Sequence, residues 1–314
     1  MVLATPPFWF ATARVRVTWP ILPAVSTPPY LDLPAGFSGA LRQTTRGPVA
    51  VLQGPPAPDP TRTGRGTALL VPGFTGSKED FVALLAPLST AGYAVVALDL
   101  AGQNETPARP DGQYSLSGFA DDVVAMADTC SEGPVHLVGH SLGGLVGREA
   151  VLRSSRFASL ALVCSGPAAL PVEQHERLRL FAAVLAEHGP EVVWQAMQAL
   201  EVEQGSDGTV DPRISAFLAE RFRRNDPRSL LAMVDVLVGE PSRTEELKAT
   251  KTPTLVVTGE HDDAWWPSVQ ADMARALEAR QVVIAGSGHS PSVEAPAETA
   301  ACLTAFWAES TGRR

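Results

Sequence analysis

Three short glycine-containing segments of the 314-residue chain carry side chains that could together perform nucleophilic catalysis. Ser141 stands in the segment GHSLG, Asp262 in GEHDD and His289 in GSGHS. A serine hydroxyl is a weak nucleophile until a neighbouring base takes its proton, and a carboxylate can orient that base. The residue types therefore fit attack of Ser141 on an acyl carbon, with His289 as the base and Asp262 as the acid that orients it.

Other titratable residues of these segments compete for the same roles. Asp263 directly follows Asp262, and His261 lies in the same loop after a predicted strand. His140 adjoins the serine, but we expect its backbone position to aim its ring away from the hydroxyl. The sequence favours Asp262 and His289, because both follow predicted strands at the edge of the sheet where ligands bind. Asp263 and His261 remain alternatives.

Two backbone N–H groups could stabilise the negative charge that develops during such an attack. The N–H of Leu142 directly follows the serine and would lie at a helix N-terminus. The turn PGFTG offers the N–H of Phe74, and Gly73 lets that backbone approach closely. Donors that point to the position of the developing oxyanion lower the barrier of acyl transfer. Leu142 and Phe74 are therefore the predicted oxyanion donors.

The elements that must hold these residues alternate between apolar strands and amphipathic helices from residue 66 onward. The strand-like runs are ALLVPG, YAVVALDL, VHLVG, SLALVCSG, PTLVVTG and QVVIAG. Runs that are apolar throughout are buried on both faces, which is typical of a parallel sheet covered by helices. Residues 39–54 resemble an antiparallel hairpin at the edge of the sheet. The predicted fold class is α/β, with a mostly parallel central sheet flanked by helices.

The alternation stops once, after the sixth predicted strand, where only helical stretches follow. We predict a helical cap over residues 167–249, inserted after that strand, and a core formed by residues 36–166 and 250–314. Residues 1–35 are predicted to be a flexible leader. Arginines interrupt its apolar run, which argues against both a transmembrane helix and a signal peptide.

The predicted cap should supply part of the wall of a substrate pocket. Trp194, Met197 and Phe217 are the candidate lining residues within it. Trp265 and Trp266 lie beside the predicted acid and are further candidates. Apolar walls with few polar groups are usual for small-molecule pockets. The same side chains could equally be ordinary packing residues.

Composition narrows the classes of partner. The formal net charge is −9, which argues against nucleic acid or an anionic membrane as the main partner. The three cysteines form no close pair, which fits a reducing, cytoplasmic location, and no Cys/His cluster has the spacing of a metal site. We predict a small-molecule substrate, no cofactor, no metal and no stable membrane anchoring; the oligomeric state is left open.

Taken in order, the motifs resemble those of the α/β-hydrolase superfamily, in particular its cap-bearing serine hydrolases. The resemblance covers about residues 66–312. VPGFTGS looks like the family's oxyanion turn, DLAGQNET looks like its D-x-x-G loop, and GHSLGG looks like its nucleophile elbow. GEHDD looks like the acid loop, and GSGHS looks like the base loop. It implies the α/β-hydrolase fold. Pro72 and Gln103 stand where the family usually has histidine. Neither position carries the chemistry, so these departures weaken only the analogy of substrate.

The resemblance also implies a class of reaction. A serine nucleophile excludes the dehalogenases and epoxide hydrolases of this fold, which attack with an aspartate. His140 stands where carbon–carbon bond hydrolases often have asparagine, which favours a small, largely apolar carboxylic ester or lactone, cleaved through an acyl-enzyme. A carbon–carbon bond hydrolase, a thioesterase, an amidase and a non-catalytic ligand-binding member remain alternatives.

Overall fold

The structure is a computed structural model that describes residues 26–56, 65–131, 133–203 and 211–311. The strands of these residues are β1 (Ser38–Thr44), β2 (Gly47–Gly54), β3 (Thr67–Val71), β4 (Ala94–Leu98), β5 (Val135–His140), β6 (Phe157–Val163), β7 (Thr254–Gly259) and β8 (Arg280–Ile284). The helices are α1 (Val82–Thr90), α2 (Leu116–Asp128), α3 (Leu142–Arg153), α4 (Val172–Glu203), α5 (Pro212–Arg224), α6 (Pro227–Gly239), α7 (Thr244–Ala249), α8 (Pro267–Ala276), α9 (Pro291–Glu294) and α10 (Pro296–Thr311). A 3-10 turn, Lys78–Phe81, leads into α1.

All eight strands belong to one sheet, in the order β1-β2-β4-β3-β5-β6-β7-β8. The pairs β1–β2 and β2–β4 are antiparallel, and the other neighbouring pairs are parallel. The predicted α/β class with a mostly parallel sheet is confirmed, and so is the antiparallel hairpin at its edge. The central strands β3 to β6 are buried along their whole length because both of their faces are covered, whereas the edge strands β1 and β8 are partly exposed.

The hydrophobic core lies on both faces of the sheet. On one face, Phe119 of α2 and Leu145 of α3 are fully buried with the strand residue Leu137. On the other face, Leu84 of α1 and Trp307 of α10 are fully buried. Burying a large apolar side chain stabilises a fold by about 1.5–3 kcal/mol. The two layers of helices therefore hold the central strands, and the loops that follow them, in fixed positions.

Four helices, α4 to α7, lie between β6 and β7. The structure continues α4 through Gly189, whose φ of 76° marks a kink between what the sequence predicts as two helices. The side chain of Asp226 accepts a hydrogen bond from the Arg228 N–H and so caps α6. Residues 204–210, between α4 and α5, lie outside the described residues. The division into a core and a cap stays a prediction.

The register of the parallel strands brings the loops of interest to one edge. Gly139 of β5 is paired with Leu162 of β6, and the next strand continues the parallel ladder. Gly259 of β7 is paired with Ile284 of β8. The chain therefore leaves β5, β7 and β8 at the same edge, immediately before Ser141, Asp262 and His289.

The segment before β1 is attached to this edge. The Ser26 Oγ lies 2.7 Å from the Ser290 Oγ, and the Ser26 carbonyl accepts a hydrogen bond of 2.8 Å from Nη2 of Arg221 in α5. The flexible leader over residues 1–35 stays a prediction, and within its described part these two contacts hold Ser26. Residues 1–25 lie outside the described residues. In the described part of the chain, each helix is too short or too polar to cross a bilayer.

Candidate active site

Ser141 occupies a strained turn between β5 and α3. Its φ of 55° and ψ of −122° are rarely adopted by a residue with a side chain. The flanking glycines allow the turn, because a Cβ on Gly139 would lie 2.2 Å from the Gly143 carbonyl oxygen and a Cβ on Gly143 would lie 2.4 Å from the Val71 carbonyl oxygen. The close approach of strand and helix lifts the serine out of the end of the sheet.

The structure brings the three predicted side chains together in a hydrogen-bonded chain. Nε2 of His289 lies 3.0 Å from the Ser141 Oγ, and Nδ1 of His289 lies 2.8 Å from Oδ1 of Asp262. All three residues are buried. Since a carboxylate can only accept, the Asp262 contact places the imidazole proton on Nδ1 and leaves Nε2 free to take the serine proton.

Asp262 is held by its own loop and by α8. Its Oδ1 accepts from the Ala264 N–H at 3.0 Å, and its Oδ2 accepts from Nε2 of Gln270 at 2.6 Å. Burial alone would raise the pKa of Asp262, but the hydrogen bonds and the charge of His289 outweigh it and hold the pKa below its usual value. The carboxylate is therefore ionised at neutral pH and fixed in orientation.

The rival residues of the acid loop lie elsewhere. Asp263 is exposed, and His261 is exposed with its Nε2 3.9 Å from Oε2 of Glu260. The geometry thus brings Asp262, and neither Asp263 nor His261, to His289.

His140 does not point away as expected. Its Nε2 lies 2.8 Å from the His289 carbonyl oxygen, its ring centroid is 5.1 Å from that of His289, and it lines the cavity beside Ser141. A buried imidazole needs a hydrogen-bond partner, and the base loop supplies one. Burial, followed by the proximity of His289, lowers the pKa of His140 to about 4. His140 is therefore neutral at pH 7 and donates its Nε2 proton to that carbonyl.

The turn that carries Phe74 lies against the serine. A Cβ on Gly73 would be 3.0 Å from the Ser141 Cβ, so any larger residue would require the turn or the serine to shift. The Phe74 ring meets Phe181 of α4 edge to face, at 5.2 Å between centroids. Leu142 begins α3, where the first N–H groups have no helical acceptor. The assignment of Phe74 and Leu142 as oxyanion donors stays a prediction.

A small cavity of about 30 Å³ adjoins the serine. Its lining residues are Ser26, Gly73, Phe74, Thr75, Gly76, Asp80, His140, Ser141, Leu170, Leu237, Ala264 and His289. A cavity needs about 10–15 Å³ to hold one water, so this one has room for a water molecule beside the serine. Ser26 and Asp80 give part of the wall a polar character.

The five aromatic and methionine candidates are absent from that described lining. Trp194 and Met197 are buried in the core, where Trp194 packs at 5.7 Å on Phe222. Trp265 is fully buried and donates from its indole nitrogen to the carbonyls of residues 168 and 169, while its ring lies 6.5 Å from that of His289. Trp266 is 43% exposed. In three of the five positions, Trp194, Met197 and Trp265, the apolar side chain is buried by packing.

Phe217, the fifth candidate, supports a buried ion pair. Its ring lies 5.5 Å below the guanidinium of Arg221, which reaches Oδ1 of Asp80 at 2.7 Å. Burial raises the pKa of Asp80 to about 6, although the Arg221 charge opposes this. Sequence reasoning missed Asp80 and Ser26 as wall residues. Asp80 was visible only as part of a helix-capping pattern, and nothing local pairs it with Arg221.

One group of described residues brings possible metal-ligand atoms close together. It consists of Cys164, Asp262 and His289, whose ligand atoms all lie within 4.8 Å of one another. Burial raises the pKa of the Cys164 thiol well above its usual value, so it stays protonated and binds metals poorly. Nδ1 of His289 and Oδ1 of Asp262 already bond to each other. These groups fit a proton relay better than a metal site.

Comparison with known proteins agrees with this arrangement. The model of the alpha/beta hydrolase family matches residues 68–302. The chain belongs to this family. It is 29% identical over 226 residues to the "Putative carbamate hydrolase RutD" of Pseudomonas syringae pv. syringae, covering 70% of this chain and 85% of that protein. It is 28% identical to the pimeloyl-[acyl-carrier protein] methyl ester esterase of Aeromonas hydrophila, covering 68% and 84%.

The fold is also similar to solved structures of this family. A thermophilic esterase from Thermogutta terrifontis superimposes with a TM-score of 0.66 at 23% identity, over 88% of this chain and 99% of that one. This likeness concerns the fold alone. The chain is therefore an α/β hydrolase, and the bond that it cleaves must be argued from the site.

Proposed function

We propose that this α/β hydrolase cleaves a small carboxylic ester or lactone, with Ser141 as nucleophile. The observation that carries the proposal is the unbroken chain from the Ser141 Oγ to Nε2 of His289, at 3.0 Å, and from Nδ1 of His289 to Oδ1 of Asp262, at 2.8 Å. Both distances lie within hydrogen-bond reach, which a nucleophile, its base and the orienting acid require.

In the first half of the reaction, the Ser141 Oγ attacks the carbonyl carbon while Nε2 of His289 takes its proton. Asp262 stabilises the imidazolium that forms and keeps its ring in place. The negative charge on the former carbonyl oxygen would be met by the N–H groups of Leu142 and Phe74. Collapse of this intermediate expels the alcohol, which receives the proton from Nε2, and leaves an acyl group on Ser141.

In the second half, a water molecule repeats the attack. Nε2 of His289 takes a proton from the water, whose oxygen adds to the acyl carbon of the ester on Ser141. When the second intermediate collapses, the Ser141 Oγ leaves and recovers its proton from His289. The products are a carboxylic acid and the free enzyme.

The walls of the cavity support a small substrate. Phe74, Leu170, Leu237 and Ala264 supply its apolar side chains. The small cavity beside the serine favours a short acyl chain. A methyl ester is the substrate named for the Aeromonas hydrophila relative, which is consistent with a small leaving group. A carbamate is the second candidate, because the Pseudomonas syringae relative is named for it and the same attack on a carbonyl carbon applies.

The test begins with a fluorophosphonate, which reacts with serines that a base activates. We expect one label per chain, on Ser141, as located by peptide mass spectrometry. Ser141→Ala should abolish labelling. Ser165→Ala is the matched control: Ser165 is also fully buried near the elbow, and its Oγ has no hydrogen-bond partner among the described residues. Labelling that persists in Ser141→Ala, or that disappears in Ser165→Ala alone, would contradict the assignment.

Substrate class is then decided by a panel. We expect p-nitrophenyl acetate and butyrate to be hydrolysed by the wild type and not by Ser141→Ala, with kcat/KM falling towards decanoate. Aryl carbamates, thioesters, anilides and γ-lactones complete the panel. Preference for a carbamate over the matching ester would replace the ester proposal with the second candidate. A wild-type protein that neither labels nor hydrolyses any of them would be a ligand-binding member of the family.

A further inference from the structure

Gln103 is a fully buried polar residue that the reaction described above does not use. It lies in the loop after β4, and its side chain has no exposed surface. Its Nε2 donates a hydrogen bond of 2.9 Å to the Gly73 carbonyl oxygen, in the turn that carries Phe74. A buried polar side chain is costly unless it is hydrogen-bonded, so this contact fixes two distant loops to each other.

The orientation of the Gln103 amide follows from its second partner. Its Oε1 accepts from the Leu100 N–H at 3.1 Å. Since an N–H group can only donate, the oxygen of the amide must face Leu100, and the NH₂ group must face Gly73. The same nitrogen lies 3.8 Å from Sδ of Met233 in α6. Three contacts thus hold the side chain, and its donor has one strong acceptor.

The stereochemistry of the peptide unit converts this contact into a constraint on Phe74. The Gly73 carbonyl and the Phe74 N–H belong to one planar trans peptide, so they point in opposite directions. Fixing the carbonyl towards Gln103 therefore fixes the N–H away from it. Gly73 itself lies against Ser141, with the position of its missing Cβ 3.0 Å from the serine Cβ.

The turn needs such support. Thr75 has a φ of 58°, a left-handed conformation that is unfavourable for a β-branched residue. The other bond to the Gly73 carbonyl comes from the Gly76 N–H at 3.2 Å, within the turn itself. Among the described residues, the Phe74 N–H has no acceptor of its own. Without Gln103, only one weak local bond would oppose rotation of the peptide.

We propose that Gln103 is a positioning residue for the oxyanion hole: by holding the Gly73 carbonyl, it aims the Phe74 N–H at the oxygen that becomes negative. The inference rests on the proposed function of Ser141. It assigns Gln103 a role in transition-state stabilisation and none in binding the ground-state substrate. The neighbouring Met233 contact means that the same residue also joins the oxyanion turn to α6.

The test compares Gln103→Met with the wild type on a short ester. Methionine has a similar length and no donor, so it keeps the packing and loses the bond to Gly73. Removing an oxyanion donor costs about 100- to 1,000-fold in kcat, and a donor that is present but free to rotate should cost about 10- to 100-fold. KM should change little, because the ground-state carbonyl depends less on this donor.

Two inhibitors separate this role from a structural one. A trifluoromethyl ketone forms a tetrahedral adduct with a reactive serine, so its Ki should rise in Gln103→Met by the same factor as kcat/KM falls. The secondary alcohol obtained by reducing that ketone has no carbonyl carbon for the serine to attack. Its Ki should therefore be the same in Gln103→Met and in the wild type. Gln103→His should restore most of the trifluoromethyl ketone affinity, since an imidazole N–H can donate to the same carbonyl.

Thr106→Val is the control for loss of buried hydrogen bonds in the same loop. Thr106 Oγ1 accepts from the Ala50 N–H at 2.8 Å and donates to the Asp99 carbonyl at 2.9 Å, and neither partner belongs to the oxyanion turn. We expect this variant to lower the unfolding temperature and to leave the Ki of the trifluoromethyl ketone unchanged.

A wild-type Ki of the trifluoromethyl ketone in Gln103→Met overturns the inference, and so does an equal weakening in Thr106→Val. If Gln103→Met fails to fold, Gln103→Leu carries the same expectation, because its side chain also has no donor. Failure of the proposed function has a different signature: the ketone would then bind Ser141→Ala as tightly as the wild type, whatever stands at position 103.

Discussion

The neutral state of His140 has a measurable consequence for the stability of the fold. Burial and the nearby His289 lower its pKa to about 4, against an ordinary value of 6.5 in an unfolded chain. Between these two values the unfolded chain binds a proton that the folded chain does not. The free energy of unfolding therefore rises with pH in this window, and the contribution of His140 is present above pH 6.5 and is lost as the pH falls towards 4.

The magnitude follows from the two pKa values. At pH 5 the unfolded chain gains about 2 kcal/mol from protonation of this one residue, and at pH 7.5 it gains about 0.1 kcal/mol or less. His140→Gln removes the titrating group, and its amide can still donate to the His289 carbonyl. The difference in unfolding free energy between wild type and variant should thus change by about 2 kcal/mol between pH 7.5 and pH 5, in the direction that favours the variant at low pH.

Urea unfolding at half-unit intervals of pH, followed by circular dichroism, measures this difference. Other groups titrate in the same range, and Asp80, whose pKa is raised to about 6, acts with the opposite sign. Because Asp80 is present in both proteins, its contribution cancels when the two curves are subtracted. A difference that stays constant from pH 7.5 to pH 5 would refute the buried, neutral state of His140.

Three further predictions concern the acid, a buried ion cluster and the wall formed by Ser26. Asp262→Asn should lower kcat by about ten-thousand-fold at unchanged unfolding temperature, because Asp262 holds the imidazole of His289. Asp263→Asn should keep a kcat near that of the wild type. Equal losses of kcat in the two variants would refute the assignment. Lys78→Met should lower the unfolding free energy by about 3–5 kcal/mol in urea titrations, because Asp99, 2.9 Å from the Lys78 Nζ, is left buried without its charged partner. Adding Asp99→Asn to this variant should recover part of the loss. If the second substitution instead adds its own full cost, the two residues are not coupled. Removal of residues 1–28 should open the cavity and raise kcat/KM on longer p-nitrophenyl esters relative to the acetate. If kcat/KM depends on acyl-chain length as in the wild type, Ser26 does not limit the length of the substrate.

The chain of strands and the catalytic candidates were predictable from sequence because their signals are local. A parallel strand is apolar on both faces, so each run was visible without knowledge of its partners. The elbow was predictable for a similar reason: Gly139 and Gly143 flank Ser141 because any Cβ there would collide with backbone. Asp262 and His289 follow strands, and parallel strands deliver the loops at their ends to one edge of the sheet.

The walls of the cavity were not predictable, because they depend on contacts between distant elements. Arg221 of α5 meets Asp80 near α1 and the carbonyl of Ser26, across separations of 141 and 195 residues. No local pattern signals such a meeting. The aromatic candidates are absent from the described lining for the complementary reason: Trp194 and Trp265 are large apolar side chains, and packing in the core buries them as well as a ligand would.

His140 shows where a local rule was too simple. Alternation along a strand suggests that neighbours of the nucleophile face away from it, but the strained turn at Ser141 ends that alternation. The ring then finds the His289 carbonyl, a partner that belongs to a loop 149 residues away.

The attachment of Ser26 determines what else can reach the catalytic serine. Ser26 lines the cavity, so a group attached at this residue would stand beside the catalytic serine. A group joined to the protein by a short flexible tether at this point meets the site at an effective concentration on the order of millimolar, without any intrinsic affinity. A bulky group attached at position 26 would therefore act as a resident competitor for substrate. The same position is suited to attaching a weak inhibitor, or an ester whose hydrolysis reports a single turnover.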